Sequence, residues 1–190
     1  GKPAFPPARC RDYPDYLLSR RPRNKPPVVG WKVRFRDSCK YEHGDADQQD
    51  WNKLPGLSYN YLDNHDNSVM LGWRWNVDCD VFEVAPYLHR DGERVMSPVA
   101  PVDIEVREYL HYAIQTDYTG GWVRLTMWAD GEVIMAADFR FPELNTWTRQ
   151  IHAWFGGNKT APHDMYLQYE QVTRWKLVDD VWTPHEITTL

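Results

Sequence analysis

The chain lacks any apolar run near the roughly 20 residues that a membrane-spanning helix needs. It also lacks an excess of positive charge, because its 22 Lys and Arg stand against 27 Asp and Glu, for a formal net charge of −5. Binding to nucleic acids or anionic membranes generally needs a basic surface. No secretory leader is visible at the start of the sequence. We therefore expect neither membrane insertion nor a nucleic-acid partner.

Several motifs of metal binding and catalysis are also missing. The sequence has no Cys-x-x-Cys or His-x-x-x-His pair for zinc, no Gly-x-Ser-x-Gly for a Ser nucleophile and no Glu-x-Asp-x-x-Glu run for glycoside hydrolysis. We expect no resident cofactor. Asp63 and Asp66 are a candidate pair for Ca²⁺, but Asx residues at this spacing also build turns, which is the interpretation we favour.

Cysteine is scarce, with Cys10, Cys39 and Cys79 as the only three. The odd number leaves at least one thiol unpaired within the chain. A Cys10–Cys39 bridge and three free thiols both fit the sequence.

Residues 1–29 combine frequent Pro with basic side chains, namely Arg9, Arg11, Arg20, Arg21, Arg23 and Lys25. The Pro residues prevent a regular helix or a central strand. We expect an extended arm that is the basic end of an acidic protein. The arm either lies on its own domain or docks on a neighbouring subunit or an acidic partner, in a homo-oligomer or a larger assembly.

Residues 30–190 show the alternation of short strands. In the segment 68–75, Val69, Leu71, Trp73 and Trp75 share one side. Further strands are expected over 104–115, 122–128, 132–141, 147–155 and 165–175, with hairpin turns at Asp91-Gly92, Gly120-Gly121 and Asp130-Gly131. No amphipathic helix is evident. The pattern predicts an all-β antiparallel sandwich or barrel in one domain.

The ten Trp and eleven Tyr residues exceed what one sandwich core can absorb, so some are expected on the surface. The side chains predicted to point outward from the strands are rich in rings and cations: Arg74, Tyr87, His89, Tyr109, His111, Trp122, Arg124, Trp128, Trp154 and Gln168. Rings stack on the C–H faces of sugars, and Arg forms paired hydrogen bonds with carboxylate or sulfate. If these strands share a sheet, the face suits an acidic polysaccharide. A face buried by a neighbouring subunit has the same composition.

A catalytic alternative is cleavage of a uronate polymer by elimination. This reaction needs a group that neutralises the carboxylate, a base and an acid. Arg107 or Gln150 is the candidate neutraliser, His152 the candidate base and Tyr166 the candidate acid.

Three motifs carry a family resemblance: Trp154-Phe-Gly-Gly through Ala161-Pro162, Gly72-Trp-Arg-Trp75 and Gln150-Ile-His152. They resemble the concanavalin-like jelly rolls of alginate and glucuronan lyases. The resemblance implies a two-sheet jelly roll and places catalytic roles on Gln150, His152 and Tyr166. The Tyr-x-Lys-x-Gly-x-Tyr motif of these lyases is missing, since the segment 165–169 has neither the Lys nor the Gly.

From these observations we expect a non-catalytic module that binds a polysaccharide, as a structural or decoration subunit of a cell surface or virion, in an extracellular location. A polysaccharide lyase is the first alternative. A purely structural coat protein, with the polar face buried by a neighbour, is the second.

Overall fold

The structure, a computed structural model, describes residues 28–60, 62–96, 101–105, 107–142, 144 and 148–187. The predicted arm, residues 1–29, lies outside the described residues apart from Val28 and Val29, which belong to the first strand. Within the described ranges, no helix combines the length and the apolar character needed to cross a membrane.

Fourteen strands run through the described residues: β1 (Val28–Arg34), β2 (Asn52–Lys53), β3 (Gly56–Ser58), β4 (Ser68–Asn76), β5 (Val81–Arg90), β6 (Glu93–Met96), β7 (Val102–Ile104), β8 (Tyr109–Asp117), β9 (Trp122–Ala129), β10 (Glu132–Arg140), β11 (Arg149–Ile151), β12 (Gln168–Gln171), β13 (Trp175–Val178) and β14 (Val181–Pro184). Two short 3-10 helices, Asp37–Cys39 and Ala46–Gln49, precede β2.

The strands form two main sheets. A five-stranded sheet has the order β10-β9-β8-β1-β12, and a seven-stranded sheet has the order β11-β3-β4-β5-β6, with β2 also paired to β4 and β7 to β5. The pairings are antiparallel, and the chain crosses repeatedly from one sheet to the other, as in a jelly roll. The predicted all-β, two-sheet sandwich is confirmed. The β13–β14 hairpin forms a separate two-stranded sheet.

The core lies between the two main sheets and follows the alternation of the sequence. Val123, Leu125 and Met127 of β9 are completely buried and belong to the same cluster as Leu71 and Val84 from the opposite sheet. Burying each such side chain stabilises the fold by about 1.5–3 kcal/mol. The period of two fixes the register, because a slip by one residue would expose the whole apolar row.

The predicted hairpin turns are present where the sequence has Asp-Gly. Asp91 and Gly92 have φ values of 52° and 82°, and Asp130 and Gly131 have values of 50° and 80°. Positive φ at both central residues matches the right-handed twist of the paired strands. Gly121, with φ of 71°, closes the third hairpin.

The single strand predicted over 104–115 is wrong. The chain leaves the seven-stranded sheet at the end of β7 and enters the five-stranded sheet at Tyr109. Arg107 lies between them with φ of 70°, and this left-handed conformation redirects the backbone where the side-chain alternation shows no break. The strands predicted over 147–155 and 165–175 are longer than the observed strands, which are the short β11 and β12. Gly156, Gly157 and Pro162 lie in the loop that separates β11 from β12.

Cys39 and Cys79 are free thiols among the described residues, and the predicted Cys10–Cys39 bridge involves a residue outside them. Cys39 is fully buried, and its Sγ lies 3.5 Å from the Tyr166 carbonyl oxygen. Burial raises the pKa of the Cys39 thiol, which keeps it protonated. Cys79 is exposed, and Cys10 lies outside the described residues.

Candidate functional site

The predicted polar face does not form one surface, because its residues lie on two different sheets. Tyr109, His111, Trp122, Arg124, Trp128 and Gln168 belong to the five-stranded sheet, whereas Arg74, Tyr87 and His89 belong to the seven-stranded sheet. Trp154 joins the second group through a bridge to Lys53. The apolar core separates the two groups, so the prediction of a single platform is wrong.

On the five-stranded sheet, Trp128 is part of a second apolar cluster. It is only 2% exposed and packs with Val28, Ala113 and Ile187. Side chains of the C-terminal hairpin pack against this cluster: Trp175, Val181 and Trp182. The prediction of Trp128 as a stacking surface for sugar is therefore wrong in this structure, because the hairpin covers its ring.

His111 helps to hold this hairpin in place. Its Nε2 lies 3.0 Å from Glu186 Oε1, and Lys32 Nζ donates to Glu186 Oε2 at 3.2 Å. Burial lowers the pKa of His111, against the opposing effect of the Glu186 carboxylate. The imidazole is thus occupied by a contact within the protein rather than presented to a ligand.

The other predicted residues of this sheet also have partners within the protein. Tyr109 is 38% exposed, and its ring centre lies 4.6 Å from Lys32 Nζ and 4.8 Å from Arg34 Cζ. Arg124 forms two hydrogen bonds to the Asp138 carboxylate, at 2.7 and 3.1 Å. The two remaining pairs are Trp122 with Arg140, at 5.6 Å, and Gln168 Oε1 with Arg36 Nη2, at 2.8 Å.

The four residues predicted for elimination lie on separate elements. Gln150 is in β11 and His152 directly follows it at the edge of the seven-stranded sheet. Tyr166 is 70% exposed in the loop before β12, and Arg107 lies in the β7–β8 turn, where it pairs with Asp37 at 2.6 Å. Within the described part of the chain, no hydrogen bond, ion pair or ring contact joins Gln150 or His152 to Tyr166 or Arg107. Acid, base and neutraliser must all reach one sugar unit, and these contacts do not assemble them.

The Ca²⁺ candidates build a turn. Asp63 Oδ1 accepts from the backbone N–H of His65 at 2.7 Å, and Asp66 Oδ2 accepts from Asn60 Nδ2 at 2.7 Å. The described residues contain no group of three or more His, Cys, Asp or Glu side chains placed to hold a metal ion.

Rings and cations instead converge on the outer face of the seven-stranded sheet. We call Trp51, Lys53, Tyr87, Arg94 and Trp154 the Lys53 platform. The Lys53 Nζ lies 4.6 Å from the Tyr87 ring centre and 5.7 Å from the Trp154 ring centre. Arg94 Cζ lies 5.0 Å from the Tyr87 ring centre. Trp154 is 37% exposed, and Tyr87 and Trp51 are half-buried.

Two glycines allow the platform to form. Gly72 pairs with Lys53 across β2 and β4, and a Cβ there would lie 3.2 Å from the Trp51 ring. At Gly156 a Cβ would lie 2.1 Å from the Trp51 carbonyl oxygen and 2.6 Å from Lys53 Nζ. Glycine is used where backbone and side chain approach this closely. The Gly-Gly motif after Trp154 thus brings its loop onto β2.

Lys53 is an unusual cation in this setting. It is only 9% exposed, and its Nζ donates to the Trp51 carbonyl oxygen at 2.6 Å. Among the described residues, no carboxylate lies within 4.0 Å of this Nζ. Burial lowers the pKa of Lys53, and the nearby Arg94 charge lowers it further against the opposing effect of Asp50.

His89 and Arg74 flank the platform. The His89 ring centre lies 5.5 Å from that of Tyr87 and 4.9 Å from that of His65. Burial lowers the pKa of His89, as do the His65, Lys53 and Arg94 charges, so the ring is neutral near pH 7. On the other side, Arg74 Cζ lies 4.5 Å from the Trp51 ring centre. Its Nε donates to Glu83 at 2.5 Å.

Three members of the platform are missing from the sequence prediction. Trp51 and Lys53 fall in the segment 37–56, which reads as a polar loop because β2 has only two residues. Arg94 lies on β6, a strand of four residues directly after a hairpin turn. The available signal is the spacing of Trp51 and Lys53, which places both on one side of an extended segment.

A pocket of about 360 Å³ lies between β12 and the C-terminal hairpin. Its lining consists of Glu170, Gln171, Val172, Thr173, Arg174 and Glu186. It has two carboxylates and no aromatic ring. An acidic sugar would meet like charge there and find no stacking surface, so this pocket fits the predicted ligand less well than the Lys53 platform.

No protein-family model matches the chain, and no curated protein sequence matches it. Structural similarity is found to the xylan β-1,4-xylosidase from Bacillus halodurans C-125, with a TM-score of 0.39 and 11% identity, over 76% of this chain and 24% of the xylosidase. The receptor binding domain of botulinum neurotoxin type G is similar with a TM-score of 0.38 and 8% identity, over 76% of this chain and 32% of that domain's chain.

The heptameric SAP-like pentraxin from Limulus polyphemus has a TM-score of 0.33 and 12% identity, over 75% of this chain and 62% of the pentraxin. The chain therefore spans less than two thirds of the length of each of these three proteins. None of the three is an alginate or glucuronan lyase, so the lyase resemblance stays a prediction from the sequence motifs.

Proposed function

We propose that the protein is a non-catalytic module that binds a polysaccharide on the outer face of its seven-stranded sheet, through the Lys53 platform. The observation that carries this proposal is the convergence of the Trp51, Tyr87 and Trp154 rings, at least partly exposed, with two cations on one sheet face. Binding sites for small polar ligands combine aromatic surfaces with a few placed polar groups. Flat rings offer large contact area to the C–H faces of sugars.

Two further observations favour binding without cleavage. The predicted elimination residues lie on separate elements. The Glu83 carboxylate beside the platform already accepts from Arg74 and from Asn76 Nδ2, at 2.5 and 2.8 Å. Hydrolysis by paired carboxylates needs two acids facing the same bond, and this neighbourhood supplies one that is already engaged.

Affinity electrophoresis through gels that contain single polysaccharides tests this proposal. We expect at least one polymer to retard the wild-type protein, and Trp154→Ala to remove most of that retardation, since truncating a Trp anchor typically costs about 2 kcal/mol or more of binding free energy. Near-UV circular dichroism of Trp154→Ala serves as the folding control. If no polymer in a panel of neutral, uronate and sulfated chains retards the wild-type protein, the proposal is wrong.

A second candidate function, a polysaccharide lyase, is favoured by the surroundings of His89. A neutral imidazole is the form that acts as a base, and Tyr87 and Arg94 lie in the same neighbourhood as an acid and a carboxylate neutraliser. The test is the ultraviolet absorbance of the unsaturated product after incubation with alginate, glucuronan or pectate. Our first proposal predicts no increase. An increase that disappears in His89→Ala would replace it with the lyase.

We further propose that the module belongs to an extracellular layer, on a cell or virion surface, and that the basic arm tethers it to a neighbouring subunit. Charge supports this arrangement, because a Pro-rich arm with six Arg and Lys over residues 9–25 precedes a domain that gives the chain its net negative charge. Light scattering before and after deletion of residues 1–27 tests the arm and leaves β1 intact. An equal molar mass per particle in the two proteins would contradict the tether and favour an arm that serves its own domain.

A further inference from the structure

We infer that the polysaccharide is anionic and that the Lys53 ammonium binds one of its carboxylate or sulfate groups at the centre of the platform. This inference rests on the proposed function, because it names the ligand class of the same site. It comes from the environment of one buried cation rather than from the aromatic composition of the face.

The Lys53 ammonium has more hydrogen-bonding capacity than the protein uses. An ammonium group offers three donors, and the described residues provide one hydrogen-bond acceptor for it, the Trp51 carbonyl oxygen at 2.6 Å. The Tyr87 and Trp154 rings contribute only cation–π contacts, at 4.6 and 5.7 Å. A cation that is 9% exposed is costly to keep without a counter-charge. A cation in such an environment, beside partly exposed rings, is a candidate for a functional site.

Other cations among the described residues differ from Lys53, because they have a carboxylate partner. Several that are more exposed than Lys53 have a carboxylate partner within the protein: Lys32 with Glu186, Lys40 with Asp80, Arg74 with Glu83, Arg107 with Asp37, Arg124 with Asp138 and Lys159 with Asp45. Two of these paired cations, Arg74 and Arg124, are themselves largely buried, so this protein pairs desolvated cations elsewhere. Lys53 differs because the described residues place no carboxylate within ion-pair distance of its Nζ, and Asp50 acts on it only from further away. A ligand anion would complete the missing pair.

A second cation strengthens the case for an anion. Arg94 and Lys53 both lie against the Tyr87 ring, and the Arg94 charge disfavours the charged form of Lys53. A carboxylate or sulfate between them would relieve this repulsion. The alternative is that Lys53 acts only as an apolar spacer, with its alkyl chain filling the gap between the rings. Lys53→Met separates the two explanations, because it keeps an unbranched side chain only one atom shorter and removes the charge.

Matched polymer pairs test the charge requirement. Titration calorimetry would compare polygalacturonate with its methyl ester, and dextran sulfate with dextran, for the wild-type protein, Lys53→Met and Lys40→Met. We expect the wild-type protein to bind the charged member of at least one pair about tenfold to a hundredfold more tightly than the neutral member, as a charge-assisted hydrogen bond allows. Lys53→Met should lose this preference. Lys40→Met, which removes an exposed charge paired with Asp80, should keep it.

The outcomes separate this inference from the proposed function. A preference in the galacturonate pair identifies carboxylate, and one in the dextran pair identifies sulfate. Equal binding of neutral and charged members, or a preference that persists in Lys53→Met, overturns the role of Lys53 and leaves the polysaccharide-binding proposal standing. Absence of binding to all four polymers and to the wider panel overturns both. If Lys53→Met does not fold, Lys53→Arg against Lys53→Gln gives the same decision, since only Arg should retain the preference.

Discussion

The two outer faces of the sandwich carry similar residue types and use them differently. On the five-stranded sheet, Trp128 is sealed under the C-terminal hairpin, and His111 and Lys32 hold Glu186 of the same segment. On the seven-stranded sheet, Trp154 remains 37% exposed beside a buried lysine that has no carboxylate in ion-pair distance among the described residues. The first face is closed by its own chain, and the second keeps Trp154 partly exposed beside Lys53.

This difference shows that outward-pointing rings and cations do not by themselves make a binding face. Whether such a face is open to a ligand depends on whether another part of the chain supplies apolar partners and counter-charges for it. The hairpin and the residues directly after it supply both on the five-stranded sheet. Trp175 packs against the apolar cluster, Ile187 belongs to it, and Glu186 lies between Lys32 and His111.

The largest expected effect is the destabilisation of the closed face by Trp128→Ala. Removing a 2%-exposed indole leaves a cavity between β8, β9 and the hairpin, and such a change typically costs about 3–5 kcal/mol of unfolding free energy. Urea unfolding followed by fluorescence would measure this loss. Polysaccharide affinity per folded molecule should stay at the wild-type value. A loss below about 1 kcal/mol would mean that the hairpin does not seal the face.

An intermediate effect is expected for Gly156→Ala on the open face. The new Cβ would meet the Trp51 carbonyl oxygen at 2.1 Å and Lys53 Nζ at 2.6 Å, so the loop must move away from β2. Forced shifts of this kind cost about 1–3 kcal/mol, and we expect polysaccharide affinity to fall with them. Gly44→Ala is the control, because its added Cβ meets nothing within 4 Å and only its φ of 72° is strained. Equal binding by the two variants would contradict the role of Gly156.

The smallest effect concerns the pH dependence of the closed face. The folded pKa of His111 is lowered, chiefly by burial, so its contribution to stability is present above the unfolded value of about 6.5 and is lost as the pH falls through the folded value. Burial alone would raise the pKa of Glu186, but hydrogen bonds from Lys32 and His111 outweigh this and lower it. Its contribution is likewise lost on acidification, below about pH 4.3.

Both groups therefore predict that the hairpin contacts weaken on the acid side, with Lys32 and Glu170 as the other charges nearby. Because Glu186 is partly exposed, we expect a change of about 1 kcal/mol or less. Melting temperatures between neutral and mildly acidic pH would measure it, with His111→Gln as the comparison. A steeper pH dependence in His111→Gln than in the wild-type protein would contradict this assignment.

Local alternation was enough to predict an all-β sandwich or barrel, the Asp-Gly hairpins and the inward side of β4 and β9, because these depend on neighbours in sequence. The partition of strands between sheets was not predictable from that pattern. The redirection at Arg107 interrupts no alternation, and β2 is too short to show a period. The site was predicted in part for the same reason: Tyr87 and Trp154 follow from outward alternation, whereas their meeting with Lys53 depends on long-range pairing.

The central claim is that ligand binding belongs to the outer face of the seven-stranded sheet. Trp154 and Tyr109 test it as a matched pair, since they are 37% and 38% exposed on opposite outer faces. The decisive measurement is the polysaccharide dissociation constant of Trp154→Ala beside that of Tyr109→Ala. We predict a loss of affinity of about thirtyfold or more for Trp154→Ala, equivalent to about 2 kcal/mol, and wild-type affinity for Tyr109→Ala. Loss of affinity in Tyr109→Ala with none in Trp154→Ala would contradict the account.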